Sequence, residues 1–125
     1  MFSSLSEKKR ILCAEDEAGS SEFLKYLLLD YEIIFANSIE KALELFRSLN
    51  FELCLLDYWS TEGEGFALCK QIRLLNPIVP IIFASGVWQE DEIQKILDAG
   101  AQSYLIKPYE IEKLLKIVKE LLKDK

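Results

Sequence analysis

No histidine occurs anywhere in the 125 residues. That removes imidazole as an acid, base or metal ligand and leaves carboxylates and lysine ammonium groups as the polar chemistry. Cysteine is scarce, with three residues and no Cys-x-x-Cys pair, so neither a disulfide framework nor a zinc site is indicated. Cys13 and Cys54 lie in apolar runs and read as small core residues. No apolar run approaches about 18 residues, so no transmembrane helix is expected. The opening stretch, residues 1–10, lacks the apolar centre of a secretion signal. Positive charge is in deficit, the net charge being −6, which argues against a phosphate backbone as a direct partner. These absences point to a cytoplasmic protein with no membrane or nucleic-acid contact. The chain is half hydrophobic and 29% charged. With no linker, repeat or low-complexity segment, it fits one domain spanning 1–125.

What is present alternates. Residues 1–7 read as a lead-in, and Lys8-Lys9-Arg10 as the solvated start of a strand. The run Ile11-Leu12-Cys13-Ala14 reads as a buried strand stopping at Glu15-Asp16-Glu17. Gly19-Ser20-Ser21 supplies caps for a helix over 22–29, and Glu32–Ala36 is the next strand. Asn37 with Glu40 three residues on predicts a capping box for a helix through Ala42, Leu43, Leu45, Phe46 and Leu49. Phe51–Leu56 is an apolar strand ending at Asp57, with turn residues Ser60, Thr61, Gly63 and Gly65 behind it. A helix over Phe66–Leu75 is stopped by Asn76-Pro77. A strand over Val79–Ala84 ends at Ser85-Gly86, and a helix over Gln89–Ala99 has Gly100 at its C′ position. A strand over Ser103–Lys107 precedes Pro108 and a final helix from Glu110 to about Lys123. In that helix Lys113, Lys116, Lys119 and Lys123 recur at helical spacing and read as a solvated face. Five strands alternating with five helices predict an α/β fold, a parallel sheet with helices on both faces.

In a parallel sheet all carboxyl ends lie on one edge, where open α/β folds keep their chemistry. Asp57 alone reads equally as a cap or strand terminator, and Lys107 alone as a surface lysine. Together the strand ends gather Glu15, Asp16, Asp57, Ser85 and Lys107. Three carboxylates in one crevice repel one another unless a cation is present. A hard divalent ion such as Mg²⁺, which takes carboxylates, waters and phosphate oxygens, answers that repulsion. A phosphoryl group on Asp57 would then meet a metal, an ammonium and a hydroxyl, and an aspartate can act as the nucleophile in such a transfer.

The pieces Ile11-Leu12-Cys13-Ala14-Glu15-Asp16-Glu17, Phe51-Glu52-Leu53-Cys54-Leu55-Leu56-Asp57, Gly65-Phe66, Pro80-Ile81-Ile82-Phe83-Ala84-Ser85-Gly86 and Gly100-Ala101-Gln102-Ser103-Tyr104-Leu105-Ile106-Lys107-Pro108 resemble, in order and spacing over 9–123, the receiver domain of two-component response regulators. The resemblance implies a flavodoxin-like (βα)5 sandwich with sheet order 2-1-3-4-5. It implies that Asp57 accepts phosphate from a histidine kinase or phosphotransfer protein, catalysing only its own phosphorylation and dephosphorylation. Glu15, Asp16, Asp57 and the backbone carbonyl of Trp59 take the Mg²⁺-binding positions. Ser85 and Lys107 take the switch hydroxyl and lysine positions, and Tyr104 the aromatic switch position. The face built from the fourth helix, fifth strand and fifth helix would then change its partner, a downstream effector or an output domain.

The chain departs from the commoner pattern in its Glu15-Asp16 pair, in Thr61 where proline is frequent, in Gly86 and in the bulk of Trp59. Two other classes fit less well. An aspartyl-nucleophile phosphatase of the haloacid dehalogenase type would need a second acid where Trp59 stands. A receiver-like interaction module working without phosphorylation need not keep the acid pair, Asp57, Ser85 and Lys107. In the family the positions of Trp59 and Val87 influence phosphate lifetime. Crowding of the attacking water predicts slower loss of the Asp57 phosphate than in a Trp59→Asn, Val87→Glu variant. Decay curves of the two phosphorylated proteins test this, and equal rates would contradict it.

Overall fold

The computed structural model describes residues 8–15, 24–26, 28–58 and 64–123. Five strands, β1 (Arg10–Glu15), β2 (Glu32–Ala36), β3 (Leu53–Asp57), β4 (Ile81–Ser85) and β5 (Ser103–Ile106), form one sheet in the order β2-β1-β3-β4-β5. Every neighbouring pair is parallel. The helical residues 24–26 (α1) lie between β1 and β2. They are followed by α2 (Ile39–Ser48), α3 (Glu64–Leu75), α4 (Glu90–Asp98) and α5 (Ile111–Leu121). The expected fold and strand order are both present. The cap residues Gly19-Ser20-Ser21 and most of the expected first helix lie outside the described residues.

A strand covered on both faces must be apolar at every position, and β3 and β4 are buried throughout. Alternate residues divide between two cores. Ile11, Cys13, Leu55, Ile82 and Leu105 pack with Leu24, Leu28, Leu114 and Val118 of the α1 and α5 side. Leu12, Leu56, Ile81 and Phe83 pack with Ala42, Leu68, Ile72 and Ile96 from α2, α3 and α4. All three cysteines are free and buried, and burial pushes the Cys54 thiol up to about 12. The lysine row of α5 is exposed.

Several boundaries differ from the sequence reading. The α2 cap is Ser38, whose extended backbone lets its hydroxyl accept the Lys41 N–H at 3.1 Å. The residue three beyond the cap is therefore Lys41 rather than Glu40, and no reciprocal box forms. β4 starts at Ile81 because Pro80 has no N–H for the ladder. α3 starts at Glu64, two residues before Phe66, and Gly65 lets that first turn lie against Tyr58 and Phe83, which an added Cβ would approach to 3.0 Å. Trp88, just before α4, is 66% exposed.

Gly100 closes α4 with φ +120°, where only glycine sits without strain. A Cβ there would fall 2.7 Å from Arg73 Nε. Arg73 also donates to the Gly100 carbonyl at 2.6 Å, to the Asn76 carbonyl at 3.0 Å and to Gln102 Oε1 at 3.0 Å. It thereby joins the carboxyl ends of α3 and α4. Gly100→Ala is expected to lower stability by about 1–3 kcal/mol. A urea-unfolding midpoint unchanged by the substitution would refute this account of the turn.

Candidate functional site

Among the described residues, the buried polar or charged side chains are Glu15, Asp57 and Ser85. All three were singled out from the sequence, and all three stand at carboxyl ends of strands. Register explains why they meet. Glu15 pairs with Asp57 across β1 and β3, and Asp57 with Ala84 across β3 and β4. Glu15 is 6% exposed and Asp57 4%. Lys107, one residue past β5, turns its ammonium onto Asp57 Oδ1 as an ion pair, with 11% of its side chain exposed. Its own N–H donates to the Ser85 carbonyl at 2.7 Å, so the strand ladder holds the lysine in place. The following Lys107–Pro108 peptide is cis. Asp16 and Trp59 lie outside the described residues.

Side-chain alternation divides the edge into two parts. Glu15 and Asp57 follow Cys13 and Leu55, so they point to the α1 and α5 side. Ser85 follows Phe83 toward the α2, α3 and α4 side, and Tyr104 shares that side. There Ser85 Oγ accepts the Val87 N–H at 3.1 Å. The Tyr104 hydroxyl donates to the Val87 carbonyl at 2.9 Å, and its ring stacks on Phe83 with centroids 5.9 Å apart. Ser85 and Tyr104 thus hold both backbone groups of one loop residue. Burial raises the Tyr104 hydroxyl above its ordinary value, with the Ser85 hydroxyl opposing and Glu92 adding to the rise.

Cys13 and Tyr109 join the site from outside the predicted set. Cys13 lies beneath the carboxylates. Burial raises its thiol well above the ordinary range, Asp57 and Glu15 raise it further, and Lys107 opposes. The thiol therefore stays neutral and acts as an apolar floor. Tyr109 is half-buried against the same core. Its hydroxyl is raised by burial first, then by Asp57, Cys13 and Glu15. In the sequence Cys13 carries only a packing signal. Tyr109 sits in a loop, and its two-residue spacing from Lys107 is the sole hint of its place.

Among the described residues, two buried carboxylates stand against one ammonium in the crevice, an excess of negative charge. An all-oxygen donor pair of that charge fits a hard divalent cation. No cluster of three metal-ligating side chains occurs among the described residues.

The chain matches a family model described as the response regulator receiver domain over residues 11–119. The transcriptional regulatory protein ZraR of Escherichia coli (strain K12) is 34% identical over 106 residues, covering 83% of this chain and 24% of that protein. The chain therefore spans about a quarter of that relative's length. A two-component response regulator from Clostridium difficile superposes with a TM-score of 0.84 at 29% identity, covering 93% of this chain and 97% of the other. A CheY-like response regulator receiver domain protein from Methanospirillum hungatei gives 0.82 at 28%, covering 91% and 93%.

The raised Tyr109 hydroxyl has a consequence for pH. The folded chain keeps its proton above the ordinary value of 10.0, where the unfolded chain has released it. The unfolded state then binds fewer protons, so stability is full below about pH 10 and is lost as pH rises beyond. Urea unfolding at pH 9, 10 and 11 is expected to give a shallower loss for Tyr109→Phe, by up to one proton per molecule. Identical slopes would place Tyr109 in solvent, away from the carboxylates.

Proposed function

The chain belongs to the response regulator receiver domain family, and from that premise we propose that Asp57 is the phosphoacceptor of a signalling switch. The observation that carries the proposal is the buried Asp57–Lys107 ion pair beside Glu15. A carboxylate oxygen of Asp57 attacks the phosphorus of a phosphohistidine on a histidine kinase or phosphotransfer protein. The O–P bond forms as the N–P bond breaks, leaving an acyl phosphate on Asp57 and a free imidazole on the donor. Lys107 is placed to follow the charge from the Asp57 oxygen onto the phosphoryl oxygens. Glu15, Asp16, Asp57 and the Trp59 carbonyl would hold Mg²⁺, which supplies charge neutralisation at the phosphoryl oxygens when bound.

Transmission follows from the Val87 contacts. Rotation of the Ser85 side chain toward a phosphoryl group on Asp57 would carry its Oγ away from the Val87 N–H. Its release frees the loop that leads into α4, and Tyr104, bonded to the same residue, moves with it. The face of α4, β5 and α5, where Trp88 and Ile106 are exposed, is the surface that then changes its downstream effector or output domain. This chemistry turns over no external substrate. A cytoplasmic setting belongs to the same proposal and is supported by the three free cysteines. Among the described residues no helix is long and apolar enough to cross a membrane. A phosphorylation-independent module leaves the burial of Glu15, Asp57 and Ser85 without a purpose and is not favoured.

Intact-mass spectrometry after incubation with Mg²⁺ and a small acyl phosphate is the test. One phosphoryl addition is expected, absent without Mg²⁺ and absent in Asp57→Asn. No addition to a folded, Mg²⁺-binding chain would exclude the phosphoacceptor role.

A further inference from the structure

The opposite edge of the sheet carries a second feature. Two adjoining cavities of about 360 and 370 Å³ share Phe51 and Asn76 in their linings. They lie at the amino ends of β1, β3 and β4, away from Asp57. Their floor is built: Phe46 and Phe51 stack with centroids 6.1 Å apart and planes within 6°. Leu75, in the lining of the first cavity, is 45% exposed, and Ile78, in the lining of the second, is 80% exposed. They are not on a loose loop. Asn76 Oδ1 accepts the N–H groups of Ile78 and Val79 at 2.9 and 3.0 Å, and Arg73 holds the Asn76 carbonyl. Two large apolar side chains, one at the end of α3 and one on the pinned turn after it, are thus presented to water in the walls of the cavities. Apolar surface of that kind marks an interaction site, because it contributes nothing to the core.

Charge selects the occupant. The charged side chains lining the cavities are Arg47, Lys9, Lys123 and Glu52. Three cations stand against one carboxylate, with Lys9 Nζ turned to the Leu122 carbonyl of its own chain. The rim is therefore cationic on a chain whose net charge is −6. A symmetric pairing of two copies would set these cations against each other. The strands meet the groove end-on, so an extended peptide finds no free strand edge there. A docked segment must satisfy its own backbone, as a helix does. We infer that this groove binds an acidic amphipathic helix of a partner protein, with apolar anchors spaced three or four residues apart seated around Phe51, Leu75 and Ile78 and its acids against Arg47 and Lys123.

The probe is a synthetic 15-residue helical peptide with leucines at that spacing and glutamates between them, titrated into the whole chain. Amide shifts report its place, and anisotropy of the labelled peptide reports its affinity. Shifts are expected around Phe51, Asn76 and Ile78, with roughly tenfold weaker binding for Leu75→Ser, Ile78→Ser. A peptide with lysines in place of glutamates is expected to bind about tenfold more weakly still, and added salt to weaken the acidic peptide. Both substituted positions are exposed, so the variant keeps its fold, checked by unchanged phosphorylation of Asp57. No binding, equal binding of the lysine peptide, or shifts confined to Trp88 and Ile106 would overturn the inference. So would a dimer in sedimentation that Ile78→Ser abolishes, which makes a second copy the occupant. A gain in peptide affinity of tenfold or more on deleting residues 1–7 would likewise assign the groove to the chain's own N-terminal segment.

Discussion

Two carboxylates buried side by side, with one ammonium to hold them, set the terms for this molecule. Neighbouring strands are about 5 Å apart, and two like charges at that distance repel by roughly 3 kcal/mol at an effective dielectric of about 20. Removing them from water adds a further penalty. Glu15 and Asp57 bear both costs, and Lys107 offsets only part. Folding alone gives no reason to keep such a site. Under the proposed function a divalent cation would give one, because its charge replaces repulsion with attraction. The fold supplies what that trade needs: a rigid sheet whose apolar strands have no freedom to let the acids drift apart.

The same sheet separates chemistry from transmission. Alternation along the strands sends Glu15 and Asp57 to one side, with Cys13 and Tyr109 beneath and beside them. It sends Ser85 and Tyr104 to the other side, where both grip Val87. In the proposed switch a change at Asp57 would reach the loop before α4 through Val87. The far end of α4 is held differently. Arg73 ties Gly100, Asn76 and Gln102 together, so motion started at Val87 meets a fixed point at the other end of the helix. The opposite edge, with Ile78 on a turn pinned by Asn76, lies beyond that fixed point.

The elements and most of the site were legible in the chain itself. Apolar runs that end in acids, a serine or a lysine are visible without coordinates, because a strand buried on both faces must be apolar up to the edge where water and chemistry begin. Strand–helix alternation then dictates a parallel sheet, and a parallel sheet puts those endings on one edge. Boundaries were less legible. The Ser38 cap and the Glu64 start of α3 depend on backbone angles and on how close Gly65 lies to Tyr58 and Phe83, which pattern does not encode.

Tertiary structure alone decided which residues face which. Register aligns Glu15 with Asp57, and a slip of one residue would have sent one of them to the other face. The place of Tyr109 beside the carboxylates, the shared hold of Ser85 and Tyr104 on Val87, and the exposure of Trp88 all follow from three-dimensional packing between segments distant in the chain. The groove at the amino edge has the same origin, since its walls come from the ends of α2, α3 and α5. The chain by itself determined what chemistry was available and at which strand ends it stands, because burial and periodicity are local properties. Distance and facing are properties of the closed fold, and they were settled only when the strands paired.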